Sequence, residues 1–127
     1  MRPFTALILA IIKDKYFKGW KFRKGFGTDD FTAARLPSIH ISLDTAMPNT
    51  YENAELATFE ESYTLYFNFN ATAYNAEEIP VRAAKCISGA TFENFLGDQR
   101  YFIVDSWDYT RDDAKIGLTM QVKTQGI

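Results

Sequence analysis

The residues that could do chemistry are few. The sequence has one cysteine, Cys86, and one histidine, His40, which could act as a thiolate–imidazole pair only if the fold brought them together. Cys86 falls in a predicted helix beside its apolar stripe, where a thiol is usually inert, and His40 falls on the polar side of a predicted strand. Single Cys and His residues also exclude a disulfide framework, a zinc finger and any His/Cys metal cluster. Asp105, Asp108, Asp112 and Asp113 gather near a predicted hairpin turn. Asp-x-x-Asp on one strand sends its two carboxylates to opposite faces, and the EF-hand pattern is absent, so a solvated acidic turn is expected there. Glu60-Glu61 and Glu77-Glu78 are adjacent pairs that diverge in space rather than forming an acid/base couple. Gly25-Phe26-Gly27 lacks the lysine and the spacing of a phosphate loop. There is no nucleophile elbow and no HExxH. The expectation is a non-enzyme with no cofactor and no metal.

Trp20-Lys21-Phe22-Arg23-Lys24-Gly25-Phe26 alternates aromatic and basic residues. As a nucleic-acid platform it would stack bases on Trp20, Phe22 and Phe26 and hold phosphates with Lys21, Arg23 and Lys24. As a structural strand it would tuck the aromatics into the core and leave the bases on the rim, which the alternation favours.

The elements that must position these groups follow from periodicity. At 127 residues the chain is one domain, 1–127. With 46% hydrophobic and 24% charged residues, it excludes disorder and membrane spans. Phe4, Leu7, Ile8, Ile11 and Ile12 form one stripe of a helix predicted from Pro3 to Phe17, stopped by Gly19. A short strand covers Trp20–Phe26, and Gly25, Gly27 and Asp29-Asp30 mark a turn. Leu36-Pro37 opens a strand with Ile39, Ile41 and Leu43 on one face and Ser38, His40 and Ser42 on the other. Asp44 to about Asn53, with Pro48 and two Asn, reads as a loop, and Ala54–Thr58 as loop or strand. Phe59–Tyr74 has the best alternation: Tyr63, Leu65, Phe67, Phe69, Ala71 and Ala73 share one face. Its length implies a strand that projects past the body of the domain or bends at a bulge. A second helix is predicted from Pro80 to Phe95, weakened by Ser88-Gly89. Strands Tyr101–Thr110 and Lys115–Thr124, joined by a turn at Arg111-Asp112-Asp113, form a closing hairpin. The predicted class is α+β, order α-β-β-β-α-β-β, with an antiparallel or mixed sheet of about five strands and both helices on one face.

Formal net charge is -2, which gives no global support to nucleic-acid binding. The distribution is uneven. Residues 1–35 hold eight Lys/Arg against three acids, and residues 36–127 hold six against thirteen, a split of +5 and -7. Such a chain can associate with copies of itself, basic face to acidic face. The apolar run Phe4–Ile12 is too short to span a bilayer and lacks a small-x-small cleavage site. It reads as a buried helix of a cytoplasmic protein, and the lone Cys86 fits a reducing compartment.

A short N-terminal amphipathic helix comes first, then a proline-opened strand (Leu36-Pro37-Ser38-Ile39-His40-Ile41) and a long alternating strand (Ser62–Tyr74). A helix (Pro80–Phe95) and a C-terminal hairpin through Gly117 and Met120 follow. This layout resembles the tail terminator proteins of long-tailed bacteriophages and the related neck, tail-completion and head–tail joining proteins. The resemblance implies a structural virion protein of the tail or neck, assembled in the host cytoplasm. It would form a ring, commonly a hexamer, that terminates the tail tube and joins it to the head connector, without catalysis. Its partners would be copies of itself, the tail tube and the connector, with no membrane and no sequence-specific nucleic acid. On that reading Lys21, Arg23 and Lys24 form the basic side of a subunit interface. Asp44, Glu60 and Glu61 form its acidic side, and Tyr66 is an exposed aromatic of the long strand. Two other classes fit the residues: a monomeric ligand- or nucleic-acid-binding module using strand 20–26, and a small enzyme using Cys86 or His40.

Overall fold

The computed structural model describes residues 1–26 and 36–127. The expected turn residues Gly27, Asp29 and Asp30 lie outside them. The elements run α1 (Pro3–Ile12), a 3-10 turn (Lys15–Phe17), β1 (Lys21–Phe26), β2 (Ser38–Thr50), β3 (Leu56–Asn70), α2 (Glu78–Ile87), β4 (Thr91–Glu93), β5 (Gln99–Asp112) and β6 (Lys115–Gly126). The class is mixed α+β, as expected. The sheet has six strands rather than about five, in the spatial order β1-β2-β3-β6-β5-β4, and the chain order is α-β-β-β-α-β-β-β. β1 joins β2 in parallel and every other pair is antiparallel. Each half of the chain is thus a helix followed by three strands, and the halves meet along β3 and β6. No helix among the described residues is long and apolar enough to cross a membrane.

The extra strand comes from the second helix ending early. It stops at Ile87, not Phe95, because Gly89 takes φ +81° and its N–H turns to the carbonyl of Phe102 at 3.0 Å. A positive φ is readily adopted only by glycine, so the helix cannot continue, and Thr91–Glu93 is released to pair with Gln99–Tyr101. The first helix is also shorter than expected. Asp14 adopts an extended conformation, and its carboxylate accepts the Tyr16 N–H at 2.9 Å, capping the separate 3-10 turn. The same carboxylate meets Arg82 of α2 at 3.1 Å. The Tyr16 N–H, helped by Arg82 and opposed by burial, holds the Asp14 carboxyl below the usual range. A depressed carboxyl contributes stability above its unfolded pKa of about 3.9 and loses it as pH falls further. Asp14→Ala should therefore cost about 1 kcal/mol at neutral pH. Urea titrations of the two proteins should converge below about pH 4.

One face of the sheet carries the core. The buried side chains Leu7 and Ile11 of α1 and Ile79, Ala83 and Ile87 of α2 join a single cluster with Ile39, Ile41, Leu65, Phe67, Leu118 and Met120 of the sheet. Both helices therefore cover the same face. The buried stripe of α1 is centred on Ala6, Leu7, Ala10 and Ile11, while Ile12 is exposed. The segment is apolar nearly all round, so its inward side is set by where alanines let it approach closely rather than by its own periodicity. The opposite face of the sheet is polar, yet Ser38, His40, Ser42 and Thr64 are buried on it.

Candidate functional site

β2 and β3 outrun the rest of the sheet. The pairing of β1 with β2 ends at Leu43, and the pairing of β6 with β3 begins at Ser62. Beyond those points β2 and β3 pair only with each other, up to Thr50 and Leu56. The expected loop 44–53 is therefore mostly strand, part of a two-stranded arm. Bulges fall at Leu43/Thr45 and Asn49/Thr50, and Pro48 sits on a strand edge, where its missing N–H breaks no ladder. The tip is closed by the Tyr51 N–H on the Glu55 carbonyl at 2.8 Å. Thr58, which pairs with Asn49 near the tip, donates to Asp98 at 2.8 Å and ties the outer part of the arm to the β4–β5 turn. Met47, Tyr51 and Leu56 stay exposed, at 65%, 62% and 49%. From 44 to 60 the arm carries Asp44, Glu52, Glu55 and Glu60 and no base.

β1 places the basic residues in two directions. Lys21 and Arg23 register with Ser38 and His40, on the polar face. Lys24 registers with Ile41, on the helix-covered face, and its ammonium lies 5.9 Å from the Phe4 ring centroid. All three are exposed. Trp20 packs inward against Phe17, Phe67, Phe69 and Tyr74 at centroid distances of 5.0–6.3 Å. Buried in this way, its face is not offered to a base.

The expected acidic partners also divide. Glu60 is exposed on the arm opposite Met47. Asp44 is exposed at the bulge and accepts from the hydroxyls of Ser42, at 3.1 Å, and Thr64. Tyr66 is half-buried against the His40 ring rather than exposed. Burial, with the Asp44 charge adding to it, pushes its phenol above the ordinary value. Glu61 is not a surface acid: it is 5% exposed, on the helix-covered face with Tyr63. The described ion pairs are Arg82–Asp14, Arg82–Glu78 and Lys123–Asp105. Lys21, Arg23, Lys24, Asp44, Glu60 and Glu61 thus have no ionic partner among the described residues.

Glu61 forms part of a cleft of about 480 Å³ between the start of α1, the end of β1 and the base of the arm. Pro3, Phe4, Leu43 and Tyr63 supply its apolar walls. Thr124 fixes the Glu61 backbone by accepting its N–H and donating to its carbonyl, both at 3.0 Å. Tyr63 donates its hydroxyl to Oε2, and Oε1 has no hydrogen-bond partner among the described residues. Arg2 and Lys24 stand at the rim with Phe95, which is 74% exposed. The Arg2 guanidinium donates to the Asn94 carbonyl and lies 4.5 Å from the Phe95 centroid. The cleft was not among the sequence expectations. Its one signal was the period-two register, which carries the Tyr63–Phe69 face back to residue 61.

The Cys86–His40 pair is not assembled. His40 is on the polar face of the sheet, and Cys86 is half-buried on α2, which covers the other face. Burial, then the Asp14 charge, pushes the thiol up, away from the reactive thiolate.

No protein-family model matches the sequence, and no curated protein does. Solved structures share the fold. One matches with a TM-score of 0.53 at 11% identity, over 97% of this chain and 95% of that one, a likeness of fold alone.

Proposed function

We propose that this chain is a structural subunit that assembles with copies of itself into a ring, commonly a hexamer, at the end of a phage tail. There it terminates tube growth and joins the tail to the head connector. The observation that carries the reading is the β2–β3 arm. A two-stranded ribbon is marginal in water on its own, and this one exposes Met47, Tyr51 and Leu56, which are interface anchors once a partner covers them. Its four acids, and the exposed bases of β1, suit a heterologous contact between neighbours. The work of such a protein is complementarity between surfaces, and the one cysteine and the one histidine lie on opposite faces of the sheet.

Light scattering on the purified protein, alone and mixed with tail tubes, with electron microscopy of the products, tests the proposal. Rings in either condition support it, and a strict monomer in both overturns it. If rings form, Lys21→Glu with Arg23→Glu should weaken them at least about tenfold and alter their salt dependence, since the exposed charges at that contact are screened by salt. Unchanged rings would remove β1 from the interface.

A further inference from the structure

We infer that the cleft holding Glu61 is the socket for the arm tip of a neighbouring copy, with Tyr51 as the inserted residue. The inference rests on the ring reading and names the contact that would build it. The cleft offers apolar walls, a basic rim and one buried carboxylate oxygen that has no partner among the described residues. Leaving a buried acceptor unsatisfied is costly, so the complementary guest is a mostly apolar group that ends in a donor. A tyrosine fits that description: its ring fills an apolar slot and its hydroxyl reaches a polar group. Tyr51 is the exposed tyrosine at the turn of the arm, and its neighbours there are Glu52 and Glu55.

Charge supports the same match. The arm carries four acids and no base between residues 44 and 60, and the socket is entered past Arg2 and Lys24. With the ring seated, Glu52 and Glu55 come against those bases while the phenol donates to Glu61. Among the described residues, none supplies the donor that Glu61 Oε1 lacks. Leu43 lines the cleft, and Tyr51 follows it by eight residues along the arm, up to about 26 Å at ~3.3 Å per residue. In the assembly the occupant is the arm tip of another copy. Because donor arm and acceptor cleft are different surfaces, the contact is heterologous and can close into a ring.

The test places the photo-crosslinker p-benzoylphenylalanine at position 51 and maps the products by mass spectrometry, with assembly followed alone and on tail tubes. Crosslinks between copies from position 51 to the peptides holding Pro3–Phe4 or Phe95 are expected. Tyr51→Ala and Phe95→Ala, both at exposed positions that leave the monomer folded by circular dichroism, should each raise the concentration for half-assembly at least about tenfold. Tyr51→Phe should give a smaller rise, because it keeps the ring and loses only the donor. Rings of unchanged stability in Tyr51→Ala, or crosslinks confined to other segments of the neighbour or to a tail-tube protein, overturn the socket and leave the ring reading standing. A monomer under both conditions overturns both.

Discussion

Phe67→Ala should cost about 3–5 kcal/mol, a large part of the roughly 5–15 kcal/mol that holds a domain of ordinary stability. Phe67 is fully buried on β3, the strand flanked by β2 and β6. Its cross-strand neighbours are Ile39 and Leu118. Its ring lies 6.0 Å from that of Phe17 and 6.3 Å from that of Trp20, so it links the sheet to the 3-10 turn and the start of β1. Truncation leaves a cavity that cannot collapse, because the strands on either side are held by their own ladders. A guanidinium titration should show the midpoint falling with an unchanged slope. Phe67→Leu keeps most of the volume and should cost about 1 kcal/mol. A cost for Phe67→Ala below about 1 kcal/mol would mean that the ring is not packed as described.

The second large effect is expected at Tyr63. Tyr63→Phe removes the hydroxyl that donates to Glu61 and leaves both oxygens of a buried carboxylate without a partner among the described residues, at a cost of about 1–3 kcal/mol at neutral pH. Burial, then the hydrogen bond to Glu61 and its charge, pushes the Tyr63 phenol well above its ordinary value. A group whose pKa is raised by folding contributes its stability in full below its unfolded pKa, about 10 for tyrosine. That stability is lost as pH rises beyond it. The native protein should therefore weaken steeply above about pH 10, and Tyr63→Phe should weaken less steeply. Denaturant titrations at pH 7 and pH 11 should show the gap between the two proteins narrowing. A gap that stays constant would exclude Tyr63 as the titrating group.

The sequence made legible whatever one-sided burial writes into it. β3 reads as a strand because Tyr63, Leu65, Phe67 and Phe69 face the core while Thr64, Tyr66 and Asn68 do not. The outer part of β2 does not read, because residues 44–50 are exposed on both faces, so no alternation is written there, and Pro48 and the asparagines imitate a loop. That strand exists because β3 pairs with it. The end of α2 was visible in Ser88-Gly89, but the apolar spacing through Phe95 outweighed it. β4 is three residues long, too short to announce itself by period. Of the candidate interface, the charges of β1 and Glu60 were readable. The division of Lys24 from Lys21 and Arg23 follows from strand parity, and the turning of Glu61 inward follows from its register with Tyr63. The cleft itself joins residues from both ends of the chain and is a product of the fold alone.

The two halves of the chain meet with β3 and β6 running in opposite senses, so their hairpins turn over at opposite ends of the sheet. One extremity bears Tyr51 among acids alone. The other, beyond Trp107 and Tyr109, mixes Asp108, Arg111 and Asp112 with Lys115. The molecule consequently has a direction, like an arrow with unlike point and fletching. Copies that join point to flank all carry that heading the same way round, and an object made of them has two sides that no rotation about its own axis exchanges.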